Sequence, residues 1–237
     1  MRGLRILLYH AIGEPGEPAS RFVVPIAVFE RQMAWLARLR FRVVRLELAV
    51  RGLLAGERSP RRTVALTFDD GTRDNHSLAL PVLRRYGFPA TAFIVTRAMG
   101  SSVTWTDRAG LAQRPVMTWE EALELEPLMS LEPHTRSHPS LPTLDDNALA
   151  EELRGSREDV EGRTGHVPSV FAYPYGHYDG RVARAVSDAG FLAACSVKVG
   201  LNDTSTPAYE LRRHEVRGDW SLSRFLLMLA RPRAGGA

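Results

Sequence analysis

The sequence predicts an α/β fold, a distorted or incomplete (β/α) barrel in a single domain, and three observations carry that expectation. Short apolar runs alternate with amphipathic stretches along the chain, several runs stop abruptly on polar residues, and the length suits one such unit. At 237 residues and 44% hydrophobic content the chain can bury one large core, and single α/β barrels commonly run to about 200–250 residues. Residues 1–230 are therefore assigned to one domain and 231–237 to a flexible C-terminal tail.

The apolar run 4–9 reads as a buried strand with His10 at its tip. Residues 29–39 place Phe29, Met33, Leu36, Ala37 and Leu39 at a helical period, and Val43-Val44 then reads as a strand before a helix over 46–54. The run 63–68 ends at Asp69-Asp70-Gly71, where glycine permits a tight turn and leaves both carboxylates beyond the strand. A helix over 78–86, closed by Gly87, leads into a strand over 91–95.

Thr118 with Glu120-Glu121 marks a helix start, followed by an apolar stripe of Ala122, Leu125, Leu128 and Met129. Glu132-Pro133-His134 reads as a loop, 144–163 as a long helix and 170–173 as a strand that runs into Pro174-Tyr175-Gly176. A helix over 182–189, strands over 192–197 and 211–216 and a helix over 222–229 complete the alternation. In such a fold chemistry gathers at the C-terminal strand ends, where His10, Asp69, Asp70 and Tyr175 are all placed.

Composition excludes several function classes. The net charge of +4 is spread over short clusters such as Arg61-Arg62 and Arg212-Arg213, so no nucleic-acid partner is expected. The single cysteine, Cys195, cannot form an intrachain disulfide and sits in an apolar stretch. The first apolar run is too short for a signal-peptide core or a transmembrane segment, and a cytoplasmic location is the expectation. No residue pattern specifies an oligomeric state.

Two motifs carry chemistry. Adjacent carboxylates raise one another's pKa unless a cation intervenes, so Asp69-Asp70 fits either an ordinary turn or a metal site in which one carboxylate binds the ion and its neighbour acts as a base. His134 and His138 are spaced four apart, so on one helical turn both imidazoles would project from the same face towards one ion. One aspartate and two histidines make a facial ligand set with open positions for water and substrate.

With these motifs in this order, the sequence resembles the polysaccharide deacetylases of carbohydrate esterase family 4, from about residue 5 to residue 229. Thr67-Phe68-Asp69-Asp70-Gly71 is similar to their first motif, which implies Asp69 as general base and Asp70 as metal ligand. His134-Thr135-Arg136-Ser137-His138, followed by Pro139 and Leu141, is similar to the second and implies both histidines as ligands. Phe171-Ala172-Tyr173-Pro174-Tyr175-Gly176 is similar to the third. That motif lines the substrate groove, here with Tyr173 and Pro174, and offers a backbone N–H, here of Tyr175, to the developing oxyanion.

Three departures stand out. Ala172 replaces the usual arginine of the third motif, so the ion pair that orients the catalytic aspartate must come from elsewhere or be absent. Glu132-Pro133 stand where the family often has glycine and a small residue. The C-terminal Leu-x-Leu-x-His-Asp segment is not intact, and Leu7-Leu8-Tyr9-His10 resembles it moved to the N-terminus, as in the permuted branch that includes poly-N-acetylglucosamine deacetylases. His10 is then the catalytic acid, in keeping with an imidazole's titration near neutral pH.

The resemblance implies a hydrolase that removes N-acetyl groups from an N-acetylated saccharide with Zn²⁺ or another divalent metal such as Co²⁺, Ni²⁺ or Mn²⁺. Its substrate would be a polysaccharide, a glycolipid or a saccharide intermediate. Trp105 can stack on a sugar ring or pack against the rim, and Arg73 and Arg136 can read an anionic group or stay solvated. The alternative is a catalytically impaired carbohydrate-binding or scaffold module of the same fold.

Overall fold

A computed structural model describes residues 3–230, and the C-terminal tail assigned to 231–237 lies outside the described residues. The elements run β1 (Arg5–Tyr9), β2 (Ala11–Gly13), β3 (Val23–Pro25), α1 (Ile26–Arg38), β4 (Arg42–Val43), α2 (Leu46–Leu54), β5 (Thr63–Phe68), α3 (Leu80–Tyr86) and β6 (Ala90–Ile94). They continue with α4 (Trp119–Leu123), β7 (Met129–Pro133), α5 (Asp146–Thr164), β8 (Val170–Ala172), α6 (Gly180–Asp188), β9 (Ala193–Cys195), β10 (His214–Glu215) and α7 (Leu222–Ala230).

All pairings between these strands are parallel, as crossover helices require. β5 pairs with β1 along its length on one edge, from Arg5 opposite Val64 to Tyr9 opposite Phe68, while β10 takes the other edge of β1. The second edge of β5 is shared by β4 at its start and β6 at its end, and β7 follows β6. β8 pairs with β9, and Leu211 bridges Cys195 just before β10, so the ring returns to β1.

Between β7 and β8 the joint is made by side chains. The Glu132 carboxylate accepts the N–H groups of Ser169 (2.9 Å) and Val170 (3.0 Å), and His134 Nδ1 donates to the Ala172 carbonyl (2.7 Å). This is where the barrel is distorted.

Strand residues fall alternately into two clusters, because successive side chains point to opposite faces. Leu4, Ile6, Ala65, Phe93, Val170 and Ala193 join Leu46, Val50 and Leu53 of α2, whereas Leu7, Tyr9, Leu66, Phe68 and Ile94 pack with α1 and α3. Both faces are covered, which explains why the strands read as continuous apolar runs. A fully buried side chain such as Phe29 contributes roughly 1.5–3 kcal/mol.

The structure corrects two readings. The helix capped by Thr118 ends at Leu123: Pro127 lacks an N–H to continue it, and Met129 opens β7. Glu132 and Pro133 belong to β7 rather than a loop, because the Glu132 carboxylate serves as the tie to β8. The short pair β2 and β3 adds two strands that no expected element covers, since three-residue strands are below the reach of periodicity.

Candidate active site

The site is built at the C-terminal ends of the central strands. Asp69 extends the inward parity of Ala65 and Thr67, and its N–H donates to Tyr9 O at 2.9 Å. At Asp70 the chain leaves the strand with φ 74°, followed by Gly71 at φ 68°, where an added Cβ would lie 3.1 Å from Ile94 Cγ2. Aspartate tolerates the left-handed region better than most residues, so the turn is compatible with a carboxylate at this point.

His134 sits at the tip of β7, its N–H donating to Ile94 O at 2.8 Å. The segment from His134 to His138 is not a helical turn, contrary to the expectation from the spacing. Thr135 (φ 69°) and His138 (φ 60°) are left-handed, and the loop folds back so that Thr135 Oγ1 accepts the His138 N–H at 2.9 Å. Glu152 of α5 accepts the N–H groups of Arg136 (2.8 Å) and Ser137 (3.0 Å), which holds this conformation. Four of the seven left-handed non-glycine residues among those described, Asp70, Thr135, His138 and Tyr175, fall at this site, so backbone strain is concentrated there.

Asp70, His134 and His138 are all buried, and one potential ligand atom from each lies within 4.8 Å of the others. Nε2 of His138 is 3.3 Å and Nε2 of His134 is 3.9 Å from Asp70 Oδ1. Ligands at about 2 Å from a tetrahedral ion stand roughly 3.3 Å apart, so the set fits a divalent cation with little adjustment. Because His134 Nδ1 donates to Ala172 O, its Nε2 presents a lone pair to the cluster.

The protonation states agree with that use. Burial pushes His134 down to about 4, against the pull of Asp69, which leaves a neutral imidazole at neutral pH. Burial pushes the Asp70 carboxyl up, but His138, His10 and His134 together outweigh it and hold the group well below the usual carboxylate range. A neutral imidazole and an ionised carboxylate are the forms that bind metal.

Beside this set, Arg213 holds both oxygens of Asp69, at 2.7 and 2.8 Å. Burial raises the Asp69 carboxyl, and Arg213 followed by His134 more than offsets it, so the group lies below its ordinary value. The guanidinium is itself fixed by donation to Ser196 O at 3.0 Å.

These groups open into a cleft of about 250 Å³ whose lining includes His10, Phe22, Trp105, Arg108, Tyr173 and Tyr175. His10 packs edge-on against Phe22, with ring centroids 5.1 Å apart. Its backbone is clamped by Asn75 Nδ2, which donates to His10 O at 3.0 Å, and by Asp74 Oδ1, which accepts the Ile12 N–H at 2.7 Å. Trp105 stacks on His138 at 4.9 Å, and the Tyr175 hydroxyl donates to Trp105 O at 2.8 Å.

Of the residues expected at the site, Asp69, Asp70, His10, His134, His138, Tyr173, Tyr175 and Trp105 line this one cleft. Pro174 is buried in the turn between the two tyrosines. Arg73 is not brought to it: its side chain pairs with Glu121 at 2.6 Å outside the cleft, because Glu121 stands opposite it at the start of α4. Arg136 is likewise tied to Asp159 at 2.8 Å.

Sequence reasoning missed Arg213 and Arg108. Arg213 falls inside the strand expected over 211–216, two residues from Leu211 and so on the same face, and a cation at an inward barrel position was the available signal.

The sequence model described as polysaccharide deacetylase matches residues 56–194, more than half of the chain. The chain belongs to the polysaccharide deacetylase family. Within it, the chain is 26% identical over 223 residues to the Bacillus subtilis strain 168 polysaccharide deacetylase-named protein YxkH, covering 94% of this chain and 74% of that one. A shorter match, 32% identical over 74 residues, covers 31% of this chain and 25% of the poly-β-1,6-N-acetyl-D-glucosamine N-deacetylase of Staphylococcus epidermidis. Among solved structures, the deacetylase PplD of Streptococcus pyogenes, in complex with acetate, superposes with a TM-score of 0.82 at 22% identity, covering 97% of this chain and 99% of that one. IcaB from Ammonifex degensii gives 0.79 at 22% identity, with 97% of each chain covered. These likenesses establish the distorted barrel of the family as the fold. Among the described residues no helix is long and apolar enough to cross a membrane.

Proposed function

We propose that this protein is a metal-dependent carbohydrate deacetylase that hydrolyses the N-acetyl group of an N-acetylated amino sugar and releases acetate. The observation that carries the reading is a spare ionised carboxylate, Asp69, beside a buried Asp-His-His set in one cleft. Asp70, His134 and His138 would hold the ion, Zn²⁺ or another divalent transition metal such as Co²⁺, Ni²⁺ or Mn²⁺. When bound, such an ion supplies Lewis acidity to the acetamide carbonyl and lowers the pKa of water towards about 7.

In this reading the chain's own groups divide the remaining work. Asp69 accepts the proton of the attacking water, and the Arg213 fork keeps it ionised and oriented while each oxygen retains a lone pair. The Tyr175 backbone N–H donates to the developing oxyanion. His10 gives a proton to the nitrogen as the C–N bond breaks, so the amine leaves neutral and the water oxygen remains in acetate. The place of His10 at the tip of the first strand supports assignment to the permuted branch of the family.

Trp105 and Tyr175 give the cleft an aromatic wall suited to a sugar ring, while the Tyr173 ring is buried behind it with its hydroxyl donating to Tyr209 O at 3.1 Å. The names of the relatives in Bacillus subtilis and Staphylococcus epidermidis support a polymeric or oligomeric N-acetylated saccharide as substrate. The alternative of an impaired binding module draws on Ala172, and Arg213 supplies the ion pair whose loss motivated it.

The test is acetate release from β-1,4- and β-1,6-linked N-acetylglucosamine oligomers with added Zn²⁺. The wild type is expected to release acetate, and Asp69→Asn to retain its metal but lose on the order of a hundredfold or more in rate. An Asp69→Asn variant of undiminished activity overturns the base assignment.

A further inference from the structure

The end of the barrel opposite the cleft carries a concentration of unpaired positive charge. The loops that lead into β4 and β5 bring Arg40, Arg42, Arg58, Arg61 and Arg62 to the surface, all exposed. The two loops are joined side by side: the Arg42 N–H donates to Arg62 O at 2.8 Å, and Arg42 stands opposite Thr63 where the ladder begins. None of the five pairs with an acidic side chain among the described residues, although arginines elsewhere do, such as Arg51 with Glu47 and Arg85 with Glu30. Their five charges exceed the +4 of the whole chain, so the rest of the molecule is close to neutral.

Apolar surface is interleaved with this charge. Arg61 and Arg62 rim a hollow of about 410 Å³ walled by Leu39, Phe41, Leu226 and Leu229. Arg42 and Arg58 rim a second hollow of about 500 Å³ that includes Leu48, Leu53 and one acid, Glu57, and Thr63 lines both hollows, which makes them neighbours. Leu48, Leu54 and Leu227 on the flanking helices are 61%, 51% and 60% exposed, against the usual fate of leucine.

We propose that this face docks onto the surface of a phospholipid bilayer bearing anionic headgroups. A guanidinium matches phosphate in a two-pronged geometry, and clustered cations next to exposed leucines combine electrostatic attraction with shallow insertion at the interface. Single-stranded nucleic acid asks for several aromatic platforms among the cations and duplex grooves ask for an inserted element; here one aromatic, Phe41, stands among arginines on short loops, and the exposed apolar side chains of the flanking helices are leucines. Because the strands are parallel, the cleft lies at their other ends. Docking by this face leaves its mouth pointing away from the bilayer.

The full chain is tested by co-sedimentation with vesicles of phosphatidylcholine alone and of phosphatidylcholine mixed with phosphatidylglycerol. Binding is expected to the anionic vesicles only, and to weaken steeply with salt. Replacing Arg40, Arg42, Arg58, Arg61 and Arg62 together by glutamine is expected to reduce it on the order of a hundredfold or more, with the fold retained and only a small drop in the thermal unfolding midpoint from the lost Arg62 bond to Leu39 O. The double variant Leu48→Glu and Leu54→Glu, which keeps all five arginines, is expected to weaken it as well. Equal binding to neutral vesicles, wild-type binding by the glutamine variant, or retention on a polynucleotide at a salt concentration that abolishes vesicle binding would overturn the proposal.

Discussion

Arg213 grips both carboxylate oxygens of Asp69 from the last segment of the barrel, and both side chains are buried. Position 172, where the family pattern has its arginine, instead offers its backbone carbonyl to His134. A cation thus reaches this carboxylate from the segment just before β10. Two consequences are joined at this contact: Asp69 stays ionised, and a buried guanidinium finds a carboxylate that compensates its charge.

Removing the cation while leaving the carboxylate should therefore be costly. Arg213→Met is expected to destabilise the fold by about 3–5 kcal/mol, the cost of an uncompensated buried charge, as read from denaturant unfolding. Arg213→Lys keeps the charge but loses the fork, so it should retain more stability than activity. Wild-type stability in Arg213→Met would show that the pair contributes little.

His134 sets a pH dependence for the metal-stripped protein. Its imidazole is pushed down to about 4 in the folded chain, first by burial, whereas the unfolded chain protonates it near the ordinary value of 6.5. Between those values the unfolded state binds more protons, so stability rises with pH and is lost as pH falls from about 6.5 to about 4, by roughly 3 kcal/mol. Thermal midpoints of chelated protein across that window should show the loss, and His134→Asn should flatten it. His214, also pushed down to about 4 by burial, leaves a residual slope of the same sign.

His10→Gln separates the proposed acid from the proposed metal ligands. Rate should fall on the order of a hundredfold or more while bound zinc stays at the wild-type level, and one limb of the pH–rate profile should disappear. Loss of zinc along with rate would place His10 among the ligands instead.

Asn75 acts on His10 through the backbone, since its amide nitrogen donates to the His10 carbonyl at 3.0 Å. Asn75→Ala is expected to lower kcat more than it raises KM, with zinc content unchanged, because in the proposed mechanism the residue it steadies meets the leaving group late in the reaction. An unchanged kcat would make the contact merely structural.

Much of this arrangement was legible from the chain. Apolar runs ending at His10 and at Asp69-Asp70 announced strand tips, and strand tips are where a barrel places its chemistry. The histidine spacing pointed to a shared ion for an incorrect local reason: a strained loop held by Thr135 and Glu152, not a helical turn, brings the rings together. Glu132 read as a loop residue because a carboxylate inside a strand contradicts propensity, and the N–H groups of Ser169 and Val170 that it accepts across the β7–β8 joint explain its place. Arg213 was harder to see because its partner lies 144 residues away, and its inward parity with Leu211 in the expected strand was the one local sign of it.

The central claim is that Asp70, His134 and His138 cage one divalent ion beside Asp69. Elemental analysis of protein stripped by chelation and reloaded with Zn²⁺ tests it most directly. One ion per chain is predicted for the wild type and for Asp69→Asn, and none for the His134→Ala, His138→Ala double variant. A double variant that still holds a full equivalent, or a wild type that holds none, would contradict it.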